Sequence, residues 1–112
     1  MRIIGGNFKG RKIYFPNKLP VRPTTDFAKE SLFNILNNNF VFEEVKVLDL
    51  FAGSGNISYE FISRGCMDIT AVDDNYHCIS FIKSTVMELK MEGIHLVKRD
   101  VFSFLRSCDE SF

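Results

Sequence analysis

The stretch Val47-Leu48-Asp49-Leu50-Phe51-Ala52-Gly53-Ser54-Gly55 decides the fold. An apolar run, read as a buried strand over Val45 to Phe51, ends in a glycine turn. A helical spacing begins at Asn56, with Ile57, Phe61 and Ile62 on one face and Gly65 as its stop. A strand that feeds a helix through glycines leaves backbone N–H groups free at the turn, where the helix N-terminus favours a carboxylate or a phosphate. The alternation continues downstream. Asp68 to Asp73 reads as a second strand, and Asn75 caps a helix carrying Ile79, Ile82, Val86 and Leu89. Gly93 ends that helix, Ile94 to Lys98 is a third strand, and Val101 to Arg106 is a short helical turn. Strand, helix, strand, helix, strand implies an α/β fold, a Rossmann-like doubly wound parallel sheet with right-handed crossovers.

Upstream, Arg2-Ile3-Ile4 and Lys12-Ile13-Tyr14-Phe15 flank the glycine-bearing stretch Gly5 to Gly10 and read as a β-hairpin. Pro16, Pro20 and Pro23 stiffen the connection that follows. A helix is expected from Thr24 or Thr25, with Ala28, Leu32, Ile35 and Leu36 as its apolar face and Asn37-Asn38-Asn39 as its end. The expected division is a basic hairpin arm and proline linker over residues 1–23, and a ligand-binding α/β unit over residues 24–112.

The chain has 112 residues and a formal net charge of zero. That zero hides a split. Residues 1–30 carry seven Lys or Arg against two carboxylates, and the remainder carries seven against twelve. A basic arm on an acidic body suits a polyanion, and Phe8, Tyr14 and Phe15 among those cations suit base stacking. Packing of the hairpin onto the body explains the same rings equally well. Cys66, Cys78 and Cys108 show no metal-ligand spacing and read as free thiols, and His77 and His95 are isolated, so no metal site is expected. No apolar run reaches the length of a membrane helix and no leader is visible, which together with the free thiols points to a cytoplasmic protein.

Two ligand classes fit the glycine turn. A dinucleotide wants a third glycine after Gly53 and Gly55, and this chain has Ser58 there. Asp49 lies inside the first strand, before the glycines, where an acid suits the ammonium and sulfonium of S-adenosylmethionine. Asp73, at the end of the second strand, can accept hydrogen bonds from ribose hydroxyls in either class. The residues therefore favour S-adenosylmethionine and leave the dinucleotide open.

Asp49-Leu50-Phe51-Ala52-Gly53-Ser54-Gly55 resembles the first motif of amino-group methyltransferases that act on nucleic acids. Arg2 to Gly6, Gly10 to Ile13, Arg22 to Asp26 and Glu30 to Asn34 resemble, in the same order, the N-terminal half of the bacterial small-subunit (16S) ribosomal RNA guanine-N2 methyltransferase family. The resemblance implies a class I S-adenosylmethionine-dependent methyltransferase. It assigns Asp49, Phe51, Gly53, Ser54 and Gly55 to the donor loop, Asp73 to the donor's ribose, Asp100 and Val101 to its adenine, and Thr24, with Arg22 and Pro23, to its methionine end. It assigns the basic hairpin, with Arg2, Lys9, Arg11, Lys12 and Arg22, to ribosomal RNA or an assembling small subunit.

The family's amine-holding tetrad, Asp or Asn, two prolines and an aromatic, has no counterpart here, because prolines occur only at 16, 20 and 23. The resemblance thus implies that the chain is an N-terminal part, truncated after the third strand, with no catalytic residue of its own and with the tetrad beyond Phe112. A free edge on the first strand would then invite dimerisation. Three other readings remain at this point: a DNA adenine-N6 methyltransferase, a dinucleotide-binding oxidoreductase fragment, and a non-catalytic RNA-binding module.

Overall fold

A computed structural model describes residues 1–16, 19–20 and 24–112. Its centre is a three-stranded parallel sheet, β1 (Val47–Leu50), β2 (Ile69–Asp73) and β3 (Ile94–Lys98), in the order β1-β2-β3. The register pairs Asp49 with Ala71 and Asp73 with Lys98, so the C-terminal ends of all three strands lie at one edge of the sheet. The crossover helices are α2 (Asn56–Ser63) and α3 (Tyr76–Leu89), with α4 (Val101–Ser107) after β3. Both crossovers advance in one direction, and right-handed connections then place α2 and α3 on the same face.

The helix boundaries follow from local chemistry. The Asn75 side chain accepts the Cys78 amide at 3.1 Å and caps α3. Asp100 does the same for α4 through the Phe102 amide at 3.3 Å. The start of α2 is different. Gly55 precedes it at φ +83°, where a Cβ would lie 2.6 Å from the Tyr59 ring, so the turn into α2 requires a residue without a side chain. The core joins Ile69 and Ala71 of β2 to Tyr59 and Ile62 of α2 and to Ile82 and Leu89 of α3.

The first helix, α1 (Asp26–Asn39), begins as expected, with the Thr25 hydroxyl accepting the Ala28 amide at 3.2 Å. Its buried face is not the one expected. Ala28, Leu32 and Ile35 are exposed, Leu36 is half-buried, and the buried residues are Lys29 and Phe33. The physical reason is an aromatic cluster in which Phe33 meets Phe61 at 4.7 Å between ring centroids and Phe42 at 5.9 Å. Phe42 belongs to a short 3-10 turn, Phe42–Glu44, that the apolar pattern does not show. The larger aromatic surface turns the helix by one residue from its aliphatic stripe.

The N-terminal hairpin is reduced. Its ladder is a single antiparallel bridge between Arg2 and Lys12, not two strands. Nor is it an arm apart from the body, since Ile3 and Ile13 are buried in the core. The loop between them docks on the end of α2. The Ile4 and Gly5 amides donate to the Glu60 carboxylate at 2.9 Å each, and the Asn7 amide donates to the Ser63 carbonyl at 2.7 Å. Gly6 sits at φ +78° against that same carbonyl, with no room for a Cβ. Strand pairing is short because these backbone donors turn toward α2 instead of across the hairpin.

Candidate functional site

The end of β1 and the end of β2 build the site together. Phe51, the first residue past β1, adopts φ +58°, a conformation rare for a bulky residue, and the residue is 71 % exposed. The chain then turns through Ala52 to Gly55, all buried. Asp73, the last residue of β2, holds that turn. One carboxylate oxygen accepts the Gly53 amide at 2.9 Å and the other accepts the Asn75 amide at 2.9 Å. An ionised carboxylate offers about four acceptor positions, so two remain for a ligand.

These elements border a cleft of about 270 Å³ lined by Pro20, Phe51, Asp73, Asp74, Asn75, Asp100 and Val101. Of the expected donor-site residues, Phe51, Asp73, Asp100 and Val101 thus share one cavity, and Gly53 touches it through Asp73. The described lining contains three carboxylates, Asp73, Asp74 and Asp100. Asp100 engages its own helix through long bonds to the Phe102 amide and the Ser103 hydroxyl, 3.3 and 3.4 Å, which leave it free to accept further.

Asp49 stands behind the cleft instead of lining it. The buried Ser58 hydroxyl donates to it at 2.6 Å. Burial pushes the Asp49 carboxyl above its ordinary value, Ser58 opposes this, and the neighbouring Asp73 charge adds to it. The serine that breaks the dinucleotide pattern is therefore the hydrogen-bond partner of the in-strand acid.

Thr24 reaches the turn by a route the sequence did not show. Its carbonyl accepts from the side-chain amide of Asn56, the first residue of α2, at 2.9 Å. Asn56 also accepts from the buried Lys29 ammonium at 2.8 Å, and Lys29 pairs with Glu60 at 3.1 Å. Lys29, Asn56 and Glu60 were not singled out from the sequence. The one signal was a lysine four residues before Phe33, on what proves to be the buried stripe.

Among the expected RNA-facing residues, Lys9, Arg11 and Lys12 are exposed on the docked loop and its edge. Arg2 is exposed but pairs with Asp26 at 3.1 Å. Arg22 and Pro23 lie outside the described residues. Lys29 is spent in the interior, so the basic character of residues 1–30 is weaker at the surface than the count suggests. Among the described residues no helix is long and apolar enough to cross a membrane, and no cluster of three metal-ligating side chains occurs.

A larger groove of about 680 Å³ lies elsewhere, lined by Leu36, Phe40, Val47, Leu48 and Phe61 among others. It follows the edge of β1 that, among the described residues, has no partner strand. It contains neither the glycine turn nor the Asp73 carboxylate, so its size does not make it the chemical site.

The sequence profile of the family described as Conserved hypothetical protein 95 matches residues 1–111, and the chain belongs to that family. The Ribosomal RNA small subunit methyltransferase D of Escherichia coli (strain K12) is 35 % identical over 105 residues, covering 94 % of this chain and 52 % of that protein. The solved structure of a hypothetical protein from Thermus thermophilus superposes with a TM-score of 0.81 at 27 % identity, covering 95 % of this chain and 59 % of the other. Coclaurine N-methyltransferase, solved with S-adenosylhomocysteine (SAH), shares the fold at a TM-score of 0.53 and 20 % identity over 86 % of this chain and 28 % of the other. The chain spans about half the length of the curated relatives it matches. The fold is the Rossmann-like methyltransferase sheet.

Proposed function

We propose that this member of the Conserved hypothetical protein 95 family forms the S-adenosylmethionine-binding part of a methyltransferase acting on the N2 amine of a guanine in small-subunit ribosomal RNA. The observation that carries the donor assignment is the charge of the described cleft lining, the three carboxylates Asp73, Asp74 and Asp100. A dinucleotide would bring two phosphate charges beside three carboxylates, a repulsion that low-dielectric walls strengthen. An adenosyl ligand with a cationic tail meets attraction instead.

The residues present fit that ligand. The spare acceptor positions of Asp73 suit the two ribose hydroxyls. Asp100 can accept from the adenine amino group while the Val101 amide donates to a ring nitrogen, and the exposed Phe51 ring offers an apolar face. The start of α2 favours the ligand's carboxylate, and Asp49 behind the turn favours its positive charges. When bound, S-adenosylmethionine supplies the methyl group on a positively charged sulfur. The acceptor amine needs orientation toward that methyl rather than a strong base, and the tetrad that would orient it is absent from the 112 residues. The chain alone is therefore assigned donor binding and not transfer. The exposed cations Lys9, Arg11 and Lys12 and the names of the curated relatives support RNA as the acceptor.

The test is methyl transfer from isotope-labelled S-adenosylmethionine, using the chain together with any coding sequence that follows Phe112 in its gene. Small-subunit ribosomal RNA, assembling subunits and DNA serve as acceptors, and the products are digested to nucleosides for mass spectrometry. Labelled N2-methylguanosine is expected from the ribosomal substrates. Label in DNA adenine, or no transfer to any RNA, would overturn the reading.

A further inference from the structure

We infer that Asn56 is a positioning residue for the donor site, a latch that ties the segment entering α1 to the glycine turn, with Lys29 fixing its orientation. The inference rests on the donor-site reading above and adds to it a pair of residues that touch no ligand.

The Lys29 side chain is fully buried, and its ammonium has three hydrogens to place. All three find acceptors: the Arg2 carbonyl at 2.6 Å, the Asn56 side-chain oxygen at 2.8 Å and the Glu60 carboxylate at 3.1 Å. An ammonium only donates, so the face of the Asn56 amide toward Lys29 must be its oxygen. That forces the NH2 group to the other side, where it donates to the Thr24 carbonyl at 2.9 Å. Asn56 is the residue directly after Gly53-Ser54-Gly55, so one side chain fixes the distance between Thr24 and the turn.

A latch of this kind has a physical justification. Burying a lysine and a glutamate is expensive, and an apolar pair of similar volume would serve stability as well or better. What an apolar pair could not do is orient an amide. The contact also spans elements distant in sequence, since Thr24 and Asn56 are 32 positions apart. Holding the glycine turn against the segment that enters α1 before a ligand arrives spares the cost of ordering the turn at binding.

Asn56→Ala tests this role without placing charge at the start of α2, where the ligand's carboxylate is assigned. It removes both the oxygen that faces Lys29 and the donor to Thr24. Ser63→Ala is the matched control. It loosens the N-terminal loop by removing the hydroxyl that accepts the Phe8 amide at 2.9 Å, without touching Asn56. Binding of SAH is measured by calorimetry on wild type, both variants and Asp73→Ala, with any coding sequence after Phe112 included, alongside melting temperatures without ligand. The expected result is a dissociation constant about tenfold higher in Asn56→Ala and within about twofold of wild type in Ser63→Ala. Unchanged affinity in Asn56→Ala overturns the latch, as does an equal loss in Ser63→Ala. If wild type does not bind the ligand and Asp73→Ala makes no difference, the donor-site reading itself fails, a result distinct from either of those.

Discussion

The Ser58 hydroxyl donates to the Asp49 carboxylate at 2.6 Å, which joins the third-glycine position of the dinucleotide pattern, in the first turn of α2, to the acid inside β1. The bond converts what a dinucleotide site would fill with glycine into support for a buried negative charge. Burial raises the Asp49 pKa above its ordinary 3.8, and Ser58 holds it from rising further.

The sign of the resulting pH dependence is fixed. A cationic donor favours ionised Asp49, so affinity is full above the pKa of the free protein. It declines as pH falls through that raised value, by at most about tenfold per pH unit. Titrations of S-adenosylmethionine across the acidic range are expected to show the decline. Ser58→Ala shifts it to higher pH, and Asp49→Asn removes the part that begins at the raised value while weakening binding at neutral pH about tenfold.

Glu60 titrates the other way and controls folding. Burial by itself would raise its carboxyl, but the Ile4 amide, Arg64, the Gly5 amide and Lys29 outweigh it and hold the group below its ordinary 4.5. A folded-state pKa below the unfolded one gives stability that is present above the unfolded value and lost as pH falls through the folded value. Urea midpoints measured from about pH 6 to about pH 3 are expected to fall, and Glu60→Gln to flatten the slope. The same variant leaves Lys29 buried without its counter-charge, at a cost of about 3 kcal/mol or more at neutral pH.

The turn into α2 admits no side chain. Gly55→Ala combines φ +83° with a contact 2.6 Å from the Tyr59 ring. A loss of about 2 kcal/mol or more is expected by chemical unfolding, together with weakened donor binding. An alanine variant that unfolds like wild type would contradict the geometry described for the turn.

The exposed cations should act as electrostatic contacts. Replacing Lys9, Arg11 or Lys12 by Gln is expected to weaken RNA binding uniformly across sequences and to reduce the salt slope by about one per residue. Arg2→Gln is expected to do less, because Arg2 already pairs with Asp26.

The parallel sheet, its helices and the caps Thr25 and Asn75 were legible because each is written locally, in periodicity or in a residue whose side chain bonds its own turn. Asp73 was read from its place at the end of the second strand, whereas Phe51, Asp100 and Val101 were named only by the family resemblance, and all four lie beside one cleft at the strand ends. The face of α1 was not legible, because aliphatic spacing marked Leu32 and Ile35 whereas aromatic packing against Phe42 and Phe61 chose Phe33. The hairpin was overread for a related reason. The Ile4, Gly5 and Phe8 amides are claimed by Glu60 and Ser63, more than fifty positions away. The Lys29–Asn56–Thr24 chain was invisible for the same cause, since each partner looks ordinary until the fold brings them together.

Binding of S-adenosylmethionine in the cleft at Asp73 is the central claim. Its most direct test is calorimetric titration of S-adenosylmethionine and of NAD into the chain, with any coding sequence that follows Phe112, as wild type and as Asp73→Ala. Saturable binding of S-adenosylmethionine is expected, weakened about a hundredfold in Asp73→Ala by the loss of charge-assisted bonds to the ribose and of the Gly53 tether, with no binding of NAD. Binding of NAD in place of S-adenosylmethionine, or donor affinity indifferent to Asp73→Ala, would contradict the account.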